Sequence, residues 1–250
     1  MERYGKQMGL HRGCMMTRLI LTILFLLAAG NAFALTLGTG NRGASFSTTN
    51  SLTFSSPTVS GNNVLGMVLI GYFYSSAPTI SGVTWNGVNM TLVPGATNTN
   101  LGTAVAIYYI VNPASGSTNV VVSASSGDWT GLFAEAIFWT GANEQSPIDS
   151  STTNTGAAAS TFSGSLTTNH GNEYVVDTVV QTVSGVPNTT GSTTFIKNGN
   201  NGNQDWGCGY HGNNAAAGSV AMTWSSTLSG RWLEGSVSIR SNPGLNRLFK

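Results

Sequence analysis

Charged residues are scarce in this chain. Asp, Glu, Lys and Arg make up 8 % of its 250 residues, whereas an average soluble domain has about 25 %. The ten basic residues are offset by nine acidic ones, so they form no basic surface of the kind that neutralises nucleic-acid phosphates. We therefore exclude nucleic acid as a partner, and Ser, Thr, Asn and Gly are left to form the polar surface.

Cysteine is almost absent, and with it the chemistry that cysteine supports. The chain contains only Cys14 and Cys208, and Cys14 precedes the apolar run of a leader sequence, so the processed chain has no internal disulfide. Histidine and cysteine lack the spacing of a zinc site, and the G-x-S-x-G elbow of serine hydrolases is missing. We expect no cofactor, and we expect the fold to be stabilised by a buried apolar core.

The N-terminus reads as a secretory signal. Arg18 precedes an apolar run of eleven residues from Leu19 to Ala29, and Ala32-Phe33-Ala34 has small residues at the two positions that a signal peptidase reads. The run is about half of the ~20 residues that a membrane-spanning helix needs. The sequence therefore predicts a secreted or cell-surface protein with no transmembrane anchor in the mature chain.

This reading divides the chain into three parts. Residues 1–34 are the predicted signal peptide, with Met15 or Met16 as a possible true start, residues 35–241 a β-sandwich domain and residues 242–250 a flexible tail. Removing the leader takes away four basic residues and one acidic residue, which leaves six basic and eight acidic residues and a net charge of −2. A surface with so little charge suits contact with glycans or with other copies of the protein.

Apolar residues alternate with polar ones along most of the processed chain. Val64–Tyr74 is a continuous run of β-branched and aromatic residues, and six further segments follow the period of two; all seven are typical of strands. The six are Thr103–Val111, Val120–Ala124, Leu132–Thr140, Glu173–Val183, Ser219–Trp224 and Arg231–Arg240. Asn86-Gly87 has the composition of a type I′ hairpin turn, and the polar stretches 143–160 and 198–205 are predicted to be long loops. The sequence predicts an all-β fold, a two-sheet antiparallel β-sandwich of jelly-roll type with about a dozen strands.

Several motifs resemble a known group of domains. They are Gly82–Leu92, Ile107–Gly116, Phe138–Asn143, Tyr174–Asp177 and Ser219–Trp224. In these motifs the chain resembles uncharacterised secreted β-sandwich domains of jelly-roll type that occur in bacterial and phage-associated surface proteins. The resemblance implies the fold and an exported location, and it supplies no catalytic residues.

One carboxylate interrupts an apolar strand. Glu135 shares a strand face with Phe133, Ile137 and Trp139, and a carboxyl group among aromatic rings has a raised pKa that suits a general acid. A glycosidase needs a second carboxylate about 5 to 9 Å away, which Glu173 or Asp177 would supply if their strand were a neighbour. The alternative is a structural role, with Glu135 facing solvent or paired with Arg231 or Arg240.

Two further candidate sites lie in one glycine-rich region. Cys208 and His211 suggest a thiol nucleophile with its base, but residues three apart in a strand point to opposite faces, so we interpret Cys208 as a buried structural thiol. Asn200 and Asp205 offer oxygen ligands for a cation in a flexible loop. The D-x-[DN]-x-[DN]-G order of a calcium loop is absent, and the simpler interpretation is a loop without metal.

Aromatic residues near loops are the better functional candidates. Trp129 follows Gly127-Asp128, and Trp206 and Tyr210 border an Asn-rich stretch, so these rings are candidate platforms on which a sugar stacks. The alternative is that each ring closes the end of a core.

We therefore favour a non-enzymatic exported module that binds a glycan or a surface. A self-assembling extracellular subunit of a fibre, sheath or coat is the alternative, and a glycosidase or lyase that uses Glu135 is the third hypothesis.

Overall fold

A computed structural model describes residues 34–38, 43–47, 49–75, 79–100, 102–125, 129–191, 193–200, 202–214 and 216–243. These residues form seventeen β-strands and contain no helix. The strands are β1 Thr36–Leu37, β2 Gly43–Ser47, β3 Ser51–Ser55, β4 Leu65–Tyr74, β5 Ile80–Trp85, β6 Val88–Asn89, β7 Thr91–Leu92, β8 Asn98–Asn100, β9 Thr103–Val111, β10 Asn119–Ala124, β11 Trp129–Thr140, β12 Ile148–Thr168, β13 Glu173–Gln181, β14 Asn188–Thr189, β15 Thr194–Asn200, β16 Asp205–Asn214 and β17 Gly218–Ile239.

The described strands pair in three antiparallel sheets. The middle sheet has the order β1-β11-β4-β9-β7, with β2 also paired to β11 and β8 also paired to β9. A four-stranded sheet has the order β3-β10-β5-β6, and a six-stranded sheet has the order β12-β17-β13-β16-β15, with β14 also paired to β17. The three sheets stack as layers because two separate apolar clusters lie on opposite faces of the middle sheet.

Strand β4 illustrates why the middle sheet lies inside. Its residues Met67 and Leu69 pack into a cluster with Val176 and Val180 of the six-stranded sheet. The intervening residues Val68 and Ile70 belong to the second cluster, which is completed by the four-stranded sheet. A strand that is buried on both faces needs apolar residues at every position rather than at alternate ones, and the continuous apolar run of β4 meets this requirement.

β12 and β17 form a long two-stranded ribbon at the edge of the six-stranded sheet, and one end of this ribbon covers the far face of that sheet. β12 and β17 pair along their whole length, from Ile148 opposite Ile239 to Thr168 opposite Gly218, with register shifts between residues 156 and 161. Beyond these shifts the ribbon folds back, so that Phe162 and Trp224 pack on Val179 of β13. We call the segments 161–168 and 218–225 the folded ribbon. It encloses a third buried apolar layer between itself and β13.

The predicted all-β antiparallel fold is confirmed, and the predicted hairpin at Asn86-Gly87 also forms. Both residues have positive φ, 52° and 76°, and Trp85 pairs with Val88 across the turn. The strands form three sheets where two were expected. A strand that is buried on both faces, such as β4, has a continuous apolar sequence, and such a sequence does not show which layers cover it. The prediction of a long loop over 143–160 is wrong because residues 148–160 belong to β12; residues 198–200 likewise lie in β15.

The remaining predictions about the chain ends fall largely outside the described residues. The leader, residues 1–33, and the tail from residue 244 onward are not among them. Within the described ranges, no helix is long and apolar enough to cross a membrane.

Candidate functional site

Glu135 lies inside the protein rather than on its surface. The carboxylate is 0 % exposed, and β11 holds it opposite Leu69 of β4, on the face that points toward the six-stranded sheet. A polysaccharide cannot reach a side chain at this depth. The structure therefore offers no site for a glycosidase that uses Glu135, and the expectation that this residue faces solvent is also wrong.

Glu173 and Asp177, the carboxylates proposed as partners of Glu135, lie on the opposite side of the six-stranded sheet. Val176 and Val180 of β13 face the middle sheet, and Glu173 and Asp177 alternate with them, so they point toward the folded ribbon. β13 itself separates Asp177 from Glu135. The two carboxylates share a strand face as the spacing predicted, but they are not neighbours of β11 and form no catalytic pair with it.

Asp177 forms a buried polar centre beneath the folded ribbon. It is 0 % exposed, and its carboxylate accepts hydrogen bonds from Trp224 Nε1 at 2.6 Å and from the backbone N–H of Gly209 at 3.0 Å. Burial raises the pKa of Asp177 to about 7 despite these two donors. Burial and the nearby Asp177 also raise the pKa of Glu234, so this layer favours protonated carboxyl groups.

Gly164 of the folded ribbon makes room for this pair of carboxyl groups. A Cβ atom at Gly164 would lie 1.5 Å from Glu234 Oε2. Only glycine lets the ribbon approach β17 this closely. The burial of Glu234 therefore depends on a residue that is far from it in sequence.

Trp206 is a core residue and not an exposed platform. It is 1 % exposed, its ring stacks on Phe133 with centroids 5.8 Å apart, and its Nε1 donates to Thr178 Oγ1 at 2.8 Å. The expectation that a sugar stacks on Trp206 is wrong because the strand turns its ring toward the middle sheet. The alternative, that the ring closes a core, is what the structure has.

The other two candidate rings have different outcomes. The backbone of Trp129 begins β11 and pairs with Tyr74, but the side chain of Trp129 is not among the described parts. Tyr210 is half-buried and lies at the edge of the core, with its ring 5.6 Å from Trp139 and 6.1 Å from Tyr174. Tyr210 thus remains a candidate contact residue at the border of the core.

The candidate metal ligands Asn200 and Asp205 face each other, but their atoms serve a turn. The Asn200 side-chain amide donates to the Asp205 carboxylate, and the Asn200 oxygen accepts the backbone N–H of Gly202. Asp205 is buried, which raises its pKa. Asp205 Oδ1 and the Asn200 oxygen are therefore engaged by N–H donors, and the pair stabilises the β15–β16 connection.

Cys208 and His211 diverge as the strand period predicts. Cys208 is opposite Thr178 and His211 is opposite Val175, two positions of β13 with opposite orientation. Cys208 is fully buried in the cluster between the middle and six-stranded sheets. The two side chains lie on different faces of one sheet and do not form a nucleophile–base pair.

A cluster that the sequence analysis missed joins the ends of β12, β13 and β17. Arg240 donates from Nη2 and Nε to Asp149 Oδ1 at 2.7 and 3.0 Å, and His170 Nδ1 lies 2.8 Å from the same oxygen. Burial alone would raise the pKa of Asp149, but hydrogen bonds from Asn169 and Arg240 hold it below its usual value. Burial is the main cause that raises the pKa of Glu173 to about 8, and the nearby negative charge of Asp149 adds to the rise.

The same cluster brings together potential metal ligands. Ligand atoms of Asp149, His170 and Glu173 lie within 4.8 Å of one another. The guanidinium of Arg240 already occupies the cation position at Asp149, so the group is a structural ion-pair network. No local motif signals it, because its members are brought together from positions up to 91 residues apart.

A polar cleft opens where the middle and six-stranded sheets meet at one edge. The residues that line it are Asn100, Thr103, Gly156, Thr182, Arg231, Trp232 and Leu233. Arg231 and Asn100 are exposed, Trp232 is half-buried and Leu233 is buried. We call this the Trp232 cleft. In the sequence, Arg231 was considered only as a partner for Glu135, and no local motif marks the cleft.

The geometry of the cleft leaves polar atoms available. One face of the Trp232 ring stacks on Phe162, with centroids 5.0 Å apart. A Cβ atom at Gly156 would lie 2.2 Å from Trp232 Nε1, so only glycine leaves room for the indole at this position. Within the described residues, neither Nε1 of Trp232 nor the guanidinium of Arg231 has a hydrogen-bond or ion-pair partner.

Comparison with known proteins adds little to this description. No protein-family model matches the chain, and no curated protein matches it in sequence. Among solved structures, the major capsid protein P2 from bacteriophage PM2 is aligned at 9 % identity over 84 % of this chain and 100 % of that protein, with a TM-score of 0.24. A similarity at this level carries no argument about function.

Proposed function

We propose that the protein is a non-catalytic module that binds a glycan through the Trp232 cleft. The observation that carries the proposal is the set of polar side chains at an open edge of the fold: a guanidinium, a side-chain amide and hydroxyl groups beside a strand that also contains one half-buried aromatic ring. Sugar hydroxyls accept and donate such hydrogen bonds, and a ring beside them excludes water from one side. Catalysis is not part of the proposal, because Glu135 is buried and the Asp177 and Glu234 carboxyl groups lie beneath the folded ribbon.

Binding of glycans to the mature protein tests this function. We expect binding on an array of neutral and acidic oligosaccharides, and we expect Trp232→Ala to weaken it at least about tenfold because the variant removes the ring contact. Leu228→Ala is the matched control, because Leu228 is an exposed apolar residue of the same strand. Absence of any glycan ligand, or equal binding by the Trp232→Ala variant, would overturn the proposal.

Self-assembly is the second candidate function, and strand β12 favours it. β12 lies at the edge of the six-stranded sheet, and from Ser150 to Thr168 it contains neither a charged residue nor proline. Charged residues and proline are what natural edge strands use to prevent pairing with another chain. The opposite edge strand, β15, has both an exposed Lys197 and a register shift beside it.

Light scattering of the mature protein separates this candidate from a monomeric binding module. We expect Ser163→Lys, on the edge strand, to dissociate oligomers if β12 pairs between copies. Ser225→Lys places the same charge where β17 is paired on both sides, with Thr161 of β12 and Asn188 of β14, and should have no effect. A monodisperse monomer over a range of concentrations argues against self-assembly.

Export is a further part of the proposal, as is membership in the secreted bacterial and phage-associated group of surface domains. Both rest on the sequence, that is, on the leader and on the motifs described above. N-terminal sequencing of the protein recovered from a producing culture tests the leader, and we expect the mature chain to begin at Leu35.

A further inference from the structure

We propose that the folded ribbon is a pH-sensitive strap, which packs on β13 at acidic pH and lifts from it as pH rises. The ribbon covers the far face of the six-stranded sheet, and two carboxyl groups lie beneath it. These are Asp177 and Glu234, each 0 % exposed. Neither of the two candidate functions requires this movement, so it is a separate property of the fold.

The ribbon is attached to β13 by side chains rather than by strand pairing. Its backbone pairs within itself and with β14, whereas β13 pairs with β16 and with residues 232–239 of β17. The apolar side chains that hold the two together are Phe162, Leu166, Val220, Met222 and Trp224 of the ribbon and Val175 and Val179 of β13. The ribbon can therefore lift without breaking the pairing of β13 with its neighbours.

Asp177 is a polar anchor between the ribbon and β13, because Trp224 Nε1 donates to its Oδ2 at 2.6 Å. Glu234 lies on the neighbouring strand, under Gly164 of the ribbon. Neither carboxyl group has an ion-pair partner among the described residues, and burial is the main cause that raises the pKa of both. Ionisation of the pair places negative charge in a layer without a described counterion, so hydration of these charges favours lifting.

The surroundings of the pair supply little free positive charge. The two segments of the ribbon and β14 contain no titratable residue. The titratable groups on the other strands around this layer are Asp149, His170, Glu173 and Arg240 at one end, Asp205 and His211 on β16, and Lys197 on β15. Arg240 is held by Asp149, and His211 and Lys197 form no described ion pair with either carboxyl group. Burial also raises the pKa of Glu173 and Asp205, so these groups add negative charge as pH rises.

Proton linkage gives the direction and size of the response. The closed ribbon keeps the pKa of Asp177 at about 7, and lifting exposes this carboxyl to water, where its usual pKa is 3.8. Between these values the closed form holds a proton that the lifted form has released, so rising pH favours the lifted form. From pH 6 to pH 8 Asp177 alone raises the ratio of lifted to closed form about tenfold. Glu234 adds to this change, because its pKa is also raised in the closed form.

Native-state hydrogen exchange, read by mass spectrometry at pH 6 and pH 8, tests the strap. Each exchange rate is divided by the intrinsic rate of an unstructured peptide at the same pH. We expect the ribbon amides to be less protected than those of β4 and insensitive to low urea, because they exchange through a local opening. Their protection should fall about tenfold or more from pH 6 to pH 8. The double variant Asp177→Asn/Glu234→Gln should lose this response, whereas Glu135→Gln, which removes a buried carboxyl on the opposite face of the six-stranded sheet, should keep it.

Three results would overturn the strap. Equal protection of the ribbon and β4 means that the ribbon opens only when the whole protein unfolds. Unchanged protection of the ribbon between pH 6 and pH 8 means that the buried carboxyl groups do not control it, and a full pH response in the double variant means the same. Thermal unfolding shows whether each variant retains the fold. If the double variant does not fold, Glu234→Gln alone replaces it; its ribbon should respond to pH less than that of the parent, and an equal response contradicts the role of Glu234.

Discussion

The stability of the protein should fall as pH rises, because the folded state holds a proton on Asp177 that is released at higher pH. The folded state keeps the pKa of this carboxyl at about 7 from a usual value of 3.8, because the side chain is buried beneath the folded ribbon. Between these two values the folded chain holds a proton that the unfolded chain has released. Stability therefore decreases with pH across this window, and the contribution is constant below pH 4 and above pH 7.

The size of this effect follows from the shift. One pKa unit corresponds to about 1.4 kcal/mol, so the contribution of Asp177 to the loss between pH 4 and pH 7 is at most about 4 kcal/mol. Asp177→Asn removes the titrating group and should flatten the profile by this amount. The variant also loses one acceptor for Trp224 Nε1 or the Gly209 N–H, which costs about 1 to 3 kcal/mol at every pH. The variant is thus less stable than the parent at pH 4, and the difference shrinks or reverses at pH 8.

Urea unfolding of both proteins at half-unit steps from pH 4 to pH 8 measures the two profiles. Asp149→Asn is a useful comparison, because the pKa of Asp149 is lowered and its removal should take away stability that exists mainly at higher pH. Parallel profiles for the parent and Asp177→Asn would refute the reasoning, as would parent stability that rises between pH 4 and pH 7 once the Asp149 contribution is subtracted.

Three further predictions concern the core. Gly71→Ala should destabilise the fold by about 1 to 3 kcal/mol in chemical denaturation, because its Cβ would lie 2.0 Å from Trp206 Cδ1. Gly82→Ala is the control: its new methyl group has no atom within 4 Å, so stability should change by less than about 0.5 kcal/mol. Equal losses in the two variants would contradict this packing. Trp206→Phe should cost about 2 kcal/mol or more in the same assay, since it removes the hydrogen bond to Thr178 and leaves a gap; a neutral result would mean that the indole is not enclosed. Cys208 is 0 % exposed, so a thiol reagent should modify the processed protein only after denaturation, and rapid labelling of the native protein would place this strand elsewhere.

Local pattern was sufficient to predict the longer strands and the main turn. The segments with a period of two in the sequence correspond to β9, β10, β11, β13 and both straight parts of β17. Three strands of two or three residues, β1, β8 and β14, were not predicted, because a stretch that short has no period to detect. β12 was not predicted, and its first half was expected to be a loop because Ser, Thr, Asn and Ala are also typical of loops. These residues form a strand here because β17 pairs with them.

The sites were less predictable than the strands. The spacing rule placed Cys208 and His211 on opposite faces of β16 correctly, and it placed Glu173 and Asp177 on one face of β13. It gave no information on which layer would cover that face, so the aromatic candidate Trp206 was expected at the surface and lies in the core. The Trp232 cleft joins residues from β8, β9, β12 and β17, and no local pattern relates strands from three different parts of the chain.

The sequence by itself determined the all-β class of this protein, its strand faces and its low charge, because these depend on the alternation and composition of neighbouring residues. Tertiary structure alone decided that β4 is covered on both sides, that the ribbon folds over Asp177 and that Arg231 has no carboxylate partner among the described residues. The physical reason is that burial and charge pairing depend on which layer packs against each face, and that choice is made by contacts between residues far apart in the chain.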